Sequence, residues 1–237
     1  MTGASRGFGR AIAEALVEEG VCVVGVARDE TRLGELRARL GDRFEAVAGD
    51  ATDPTLAGQL LDRYRPRTLV LNAGAGPLAR PIQHHTWQTF SRNWEVDVQQ
   101  AFNWTREALL RPLKPGSRVV AFSSGAALNG SPLSGGYAGA KATIRFIASY
   151  AAAESERGGL GIRFVSVLPD LTPVTDLGAA AAASYAARQG VDLATFVEGR
   201  GATLSLEQVG RSIVELAAGT GTAGAYRLSA AGLGPLP

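Results

Sequence analysis

The chain has one cysteine, one methionine, two histidines and no run of basic residues, which leaves little room for several kinds of chemistry. With Cys22 alone, no disulfide can form within the chain, and its place in Val21-Cys22-Val23-Val24 reads as a buried strand position. That usage suits a reducing compartment, so a cytoplasmic location is expected. His84 and His85 are adjacent, without Asp, Glu or Cys at matching spacing; they read as loop residues, and no metal is expected. No apolar stretch approaches ~18 residues and no basic-then-apolar leader precedes the first glycines, so a soluble protein without a membrane span is expected. The net charge of +2 has no basic run behind it, which speaks against a nucleic-acid partner.

Enough apolar material remains for a packed core. Hydrophobic residues make up 46% of 237 positions against 19% charged, a globular balance compatible with one domain spanning residues 1–237. Apolar runs at residues 21–26, 44–48, 68–71, 118–122 and 162–168 read as strands covered on both faces. Helical patterns lie between them at residues 31–40, 56–64, 87–110 and 137–156, with a last helix at 206–218 and a final strand at 225–228. Residues 169–201 carry Pro, Gly, Thr and an alanine run, and read as a mobile lid over a substrate. Strand–helix alternation of this kind predicts an α/β fold, a Rossmann-like doubly wound parallel sheet with right-handed crossovers.

In such a sheet, ligands bind beyond the carboxyl ends of the strands. The distinctive polar and glycine-rich clusters fall there: the opening loop, Asp50-Ala51, Asn72-Ala73-Gly74, Ser123-Ser124 and Pro169-Asp170. The opening loop, Thr2-Gly3-Ala4-Ser5-Arg6-Gly7-Phe8-Gly9, leads into a helix whose free N–H groups suit a dinucleotide pyrophosphate. Tyr137 and Lys141 stand four apart on one helix face, where a cation favours the phenolate. Ser124 ends a strand thirteen residues before Tyr137.

The glycine loop, the Asn-Ala-Gly turn, Ser124 and the Tyr137–Lys141 pair, in this order and at these separations, resemble the short-chain dehydrogenase/reductase (SDR) family. The resemblance runs from Thr2 to about Thr175. It implies an oxidoreductase that interconverts a carbonyl and an alcohol by hydride transfer with a nicotinamide cofactor, acting on a small molecule. Tyr137 would be the general acid/base, Lys141 would tune it and bind the nicotinamide ribose, and Ser124, rather than Ser123, would polarise the substrate oxygen. Gly3, Ser5, Arg6, Gly7, Phe8, Gly9, Asn72, Ala73, Gly74, Asp50, Ala51 and Pro169 would line the cofactor, with Asp50 on the adenine. Thr172 and Thr175 both fall near the family's amide-contacting threonine, and spacing leaves the choice open; Thr172 is carried as the candidate. A non-catalytic dinucleotide-binding or sensing protein on the same fold is the alternative.

Departures from the family's pattern sharpen the expectations. Ala27 stands where members using NAD carry Asp, and Arg28 follows; with Arg6 across the loop, two guanidinium groups suit a 2′-phosphate. NADP(H) is therefore expected over NAD(H), with Asp29 pointing elsewhere. Asp97 occupies the place of the proton-relay Asn, and Asp170 replaces the Gly of a Pro-Gly pair. Asp only accepts hydrogen bonds when ionised, and its charge near Lys141 would oppose the lysine's effect on Tyr137. The resemblance also implies a subunit interface on the helices before and containing Tyr137; they carry Trp94, Phe102, Trp104, Ile144, Phe146 and Ile147, more large apolar residues than one domain face needs, so a homodimer or homotetramer is expected, with Trp87 read like Trp94 and Trp104 as a core or subunit-contact residue. Finally, the glycine loop has no strand in front of it; the first and central strand of the sheet is read as missing, with its residues expected upstream of Met1.

Overall fold

The computed structural model describes residues 1–219 and 221–237. Three strands fall where the apolar runs put them: β2 (Phe44–Ala48), β3 (Thr68–Leu71) and β4 (Arg118–Phe122). β1 (Val23–Ala27) starts later than residue 21, because Gly20 turns at φ 80° and the chain reaches the sheet only at Val23. Cys22 is therefore exposed in the approach to β1, which corrects its reading as a buried strand residue. β5 (Arg163–Pro169) and β6 (Ala225–Ser229) follow, and an unforeseen β7 (Gly232–Leu236) pairs antiparallel with β6 at the sheet's edge. All other pairings are parallel.

The strands form two hydrogen-bonded groups, β2 with β1 and β3-β4-β5-β6-β7, and the start of the chain joins them. Thr2 bridges in parallel to Val26 on one side and Leu71 on the other. Thr2 N donates to Val70 O, Gly3 N to Val26 O, and Val26 N to Met1 O, all within 2.9 Å. The place of the expected first strand is thus held by a single bridging residue. Met1 N donates to Val24 O at 2.6 Å.

Helices cover both faces. On one, α1 (Gly7–Glu18), α2 (Glu30–Leu40) and α10 (Leu206–Ala218) bury Ile12, Leu16, Leu33, Leu36, Val209, Ile213 and Leu216 against Val120, Val165 and Val167. Gly210 lets α10 approach α1 so closely that a Cβ there would sit 2.8 Å from the Ala15 Cβ. On the other face, α3 (Pro54–Tyr64), α5 (Gln99–Leu110) and α7 (Tyr137–Arg157) bury Leu61, Trp104, Ala108, Ile144 and Ala148 against Leu69, Leu71 and Val119.

Two helical expectations change. The stretch read as one helix over residues 87–110 is α4 (Trp87–Asn93), a π-helical turn (Trp94–Val98) and α5. Residues 169–201, read as unpatterned and mobile, hold α8 (Asp176–Gln189), capped by Thr175, and α9 (Leu193–Glu198), capped by Asp192. Their small core is Ala182, Ala186 and Phe196, with the Phe196 ring stacked on Tyr185. A short α6 (Ala126–Asn129) follows β4.

Candidate active site

A cleft of about 1950 Å³ runs across the carboxyl ends of the strands, between the opening loop and the α8–α9 segment. It brings together most of the sequence candidates: Gly3, Ser5, Arg6, Gly7, Phe8, Arg28, Asp50, Ala51, Asn72, Ala73, Gly74, Asp97, Ser124, Tyr137, Lys141, Pro169 and Thr172 all line it. Gly9, like Thr2 and Ala4 of the same loop, stands behind the wall. A Cβ on Gly9 would lie 1.9 Å from Gly3 O, and one on Gly3 would lie 2.8 Å from the Ala73 Cα, so these two glycines serve backbone contact. Gly7, at φ 53°, opens α1, whose N-cap Arg6 makes no side-chain cap and whose first turn holds no acid. The helix therefore presents uncapped N–H donors and its positive end to the cleft, the features a pyrophosphate needs.

Thr2 fastens this loop to the Asn-Ala-Gly turn. Its hydroxyl accepts from Asn72 N (3.0 Å) and Ala73 N (3.1 Å) and donates to Gln100 Oε1 (3.1 Å), while Asn72 Nδ2 donates to Gly3 O at 3.1 Å. Gln100 was not read from the sequence; as a polar residue inside a helix, it gave no sign of which strand it would meet.

At the end of the cleft next to β2, Asp50 accepts from Thr52 N and Oγ1, and the Thr52 N–H holds its carboxyl below the usual value. Ala51 is buried, and its carbonyl takes the Trp104 indole N–H at 2.8 Å. Asp29 also borders the cleft, with its carboxylate held by α2: it caps the helix through Arg32 N and pairs with the Arg32 side chain. Arg28 is exposed on the cleft rim, whereas Arg6 pairs with Asp176 of α8 at 3.5 Å.

At the opposite end, β4 separates its two terminal serines. Both border the cleft, but Ser123 is buried and donates to Lys141 O at 2.7 Å, whereas Ser124 is half-buried and its hydroxyl accepts from Ala126 N at 3.2 Å. Tyr137 opens α7 and is half-buried, with its ring 5.6 Å from Lys141 Nζ. Lys141 is buried; its ammonium donates to Phe122 O at 3.2 Å and stands 3.1 Å from Asp97 Oδ2. Burial alone would push the lysine down, but the Asp97 carboxylate and the Tyr137 phenol outweigh it and hold Lys141 above its ordinary value.

Asp97 comes from the π turn, where the other oxygen accepts from Ala75 N at 2.7 Å. Asp170, the second departure, is held in a fork by Arg227 of β6 at 2.9 and 3.1 Å. Arg227 also lay beyond the sequence reading, since its partner is 57 residues away. Of the two threonines, Thr172 is buried with its hydroxyl donated to Leu204 O, and Thr175 caps α8 while facing Gly7. Of the tryptophans, Trp104 is core, whereas Trp87 and Trp94 are exposed. Among the described residues no group of His, Cys, Asp or Glu is arranged to hold a metal, and no helix is long and apolar enough to cross a membrane.

This arrangement, a dinucleotide cleft ending at a serine, a tyrosine and a buried lysine, defines a class, and comparison with known proteins names it. The family model described as short chain dehydrogenase matches residues 1–186, and the chain belongs to that family. It is an oxidoreductase acting on CH–OH or C=O groups with NAD(P). A serine 3-dehydrogenase of Agrobacterium fabrum is 32% identical over 182 residues, covering 72% of this chain and 70% of that protein. A short-chain dehydrogenase from Streptomyces avermitilis superposes with a TM-score of 0.76 at 27% identity, over 96% of this chain and 86% of that one. The fold also matches 3-ketoacyl-(acyl-carrier-protein) reductase from Brucella melitensis complexed with NADH, with a TM-score of 0.79 at 21% identity, over 97% and 95% of the two chains.

Proposed function

We propose that the protein is an NADP(H)-dependent oxidoreductase in which Tyr137 is the general acid/base for a small carbonyl or alcohol substrate. The observation that carries this reading is the placement of Tyr137 and Ser124 on the wall of one cleft with the Lys141 ammonium beside the phenol ring. The uncapped start of α1 and the glycine contacts at Gly3 fit a dinucleotide, with Asn72, Ala73 and Gly74 along its length. When bound, the nicotinamide supplies or accepts the hydride. Ser124 donates to the substrate oxygen and orients it, while Tyr137 gives that oxygen a proton in reduction and removes it in oxidation. Lys141 keeps a cation beside the phenol and offers its remaining N–H to the cofactor's ribose.

The preference for NADP(H) rests on charge. Arg28 faces the cleft rim, Ala27 leaves no carboxylate at the end of β1, and Asp29 is occupied by α2. Arg6 stands across the same opening, held by an exposed and therefore weak pair with Asp176 that a phosphate can displace. Residues 1–237 act as one dinucleotide-binding domain, with residues 169–201 closing over the substrate. Phe102, Leu110, Phe146 and Tyr150 are exposed on the packed pair α5 and α7, which fits a homodimer or homotetramer built on those helices. A lone, exposed thiol fits the cytoplasm.

The test is NADPH oxidation followed by absorbance across a panel of aldehydes and ketones, for the protein and its Tyr137→Phe variant. Turnover lost in the variant with NADPH binding retained supports the reading; equal turnover in both overturns it.

A further inference from the structure

Resting on the carbonyl chemistry given above to Ser124 and Tyr137, we propose that the substrate carries a carboxylate bound by Arg200, which makes the substrate class oxo acids and their hydroxy-acid counterparts. The cleft does not end at β5. A second cavity of about 470 Å³ opens beside it, lined by Thr203, Leu204 and Ser229 and sharing Asp170, Arg200 and Arg227 with the cleft. The shared wall adjoins the serine. Gly125 follows Ser124 and donates its N–H to Pro169 O at 2.8 Å, and a Cβ on Gly125 would lie 3.3 Å from Asp170 Oδ1.

Charge selects Arg200. Among the described residues, every cation lining the cleft except Arg28 and Arg200 stands in an ion pair. Arg28 follows β1, at the cofactor's end; Arg200 follows α9, at the other. Arg200 rests on an aromatic ring, with its guanidinium carbon 5.8 Å from the Phe196 centroid. A ring contact steadies the cation without using its N–H donors, so the fork that matches a carboxylate stays free. Arg227, by contrast, is engaged through Nε and Nη2 by the two oxygens of Asp170. Two guanidinium groups and one carboxylate leave a single positive charge on this wall. A carboxylate neutralises it, whereas a phosphate dianion would leave the wall in excess negative charge.

Arg200 is exposed, yet a chain of contacts ties it to the helix that carries the phenol. Phe196 stacks on Tyr185 of α8 with ring centroids 6.3 Å apart. The Tyr185 hydroxyl bonds to the Ser131 hydroxyl, which bonds in turn to Ser134 Oγ at 2.8 Å. Tyr137 N then donates to Ser134 O at 3.0 Å. Leu128 of α6, with Leu171 and Val174 after β5, adds apolar lining that suits a short carbon chain between carbonyl and carboxylate. The carboxylate takes no part in the reaction: the hydride joins the carbonyl carbon, the Tyr137 proton joins its oxygen, and the anion stays on Arg200.

The experiment compares 4-oxopentanoate and 5-oxohexanoate with their methyl esters in the parent, Arg200→Leu and Arg188→Leu. In NADPH oxidation, the parent is expected to favour at least one acid over its ester by about tenfold or more in kcat/KM, mainly through KM. Arg200→Leu removes that preference and leaves the esters within about twofold of the parent, as expected for one charge-assisted contact. Arg188, an exposed cation of α8 that does not line the cleft, controls for net charge, and its variant keeps the preference. Calorimetric titration of the same four compounds into the protein with NADP⁺, where no reduction can occur, reads the preference without turnover. If Arg200→Leu is not recovered folded, Arg200→Gln carries the same comparison. No preference for an acid by either readout, or a preference that survives in Arg200→Leu, overturns the proposal. Activity surviving in Tyr137→Phe would defeat the underlying function, whereas an inactive Tyr137→Phe beside a parent that treats acid and ester alike defeats this inference alone.

Discussion

Thr2 Oγ1 receives the backbone N–H groups of both Asn72 and Ala73, at 3.0 and 3.1 Å, across a sequence separation of seventy residues. One side chain thus sets the spacing between the glycine loop and the opposite wall of the cleft, in the middle of a sheet where Thr2 bridges β1 and β3. Replacing Thr2 by Val keeps the volume and strands two half-buried N–H donors and the buried Gln100 amide oxygen. A loss of roughly 2–4 kcal/mol in unfolding free energy is expected from urea titration, together with weaker dinucleotide binding. A loss under about 0.5 kcal/mol would mean that water replaces the hydroxyl at no cost.

Arg28 carries the cofactor prediction. Arg28→Ala is expected to weaken NADPH binding by about tenfold to a hundredfold, the usual worth of a charge-assisted phosphate contact, and to leave NADH unchanged. Fluorescence titration with both cofactors separates the outcomes. Equal losses for the two would show that Arg28 acts on a part they share.

The Lys141–Asp97 pair makes a stability prediction with a definite sign. Lys141→Met leaves a buried carboxylate without its counter-ion and is expected to cost about 3–5 kcal/mol, whereas Lys141→Met with Asp97→Leu recovers most of that loss. The double variant also isolates the pH dependence. The folded state holds Lys141 above the ordinary lysine value of 10.5, so it binds the proton more tightly than the unfolded chain does. The pair's stabilisation is therefore complete below 10.5 and declines as pH rises through the higher folded value. Unfolding free energies measured from neutral to strongly alkaline pH should fall in the parent and less so in the double variant.

Much of this architecture was legible because each buried strand is a short apolar run ending in a polar cluster, as at Thr68–Leu71 before Asn72 and Arg118–Phe122 before Ser123. Ser124, Tyr137 and Lys141 were found together for the same reason: a strand end and a helix start meet at one edge of a doubly wound sheet. The break at Trp94–Val98 was hidden, since that segment holds no Gly or Pro and its π turn accompanies the tertiary contacts of Asp97 with Ala75 and Lys141. The α8–α9 segment escaped because an alanine run offers little contrast between buried and exposed faces, although Thr175 and Asp192 stood ready as caps. Cys22 misled because its apolar neighbours begin before the strand does. The Asp170–Arg227 fork depends on adjacency of β5 and β6, which no local pattern encodes.

The central claim is that Tyr137 transfers the proton in an NADPH-linked carbonyl reduction. It is tested most directly by following NADPH absorbance with a panel of aldehydes and ketones, for the parent and Tyr137→Phe side by side. The account predicts turnover of at least one carbonyl by the parent and a fall of at least about a hundredfold in the variant, with NADPH bound equally by both. Turnover that survives the loss of the phenol, or NADPH binding without oxidation of any carbonyl in the panel, would contradict it.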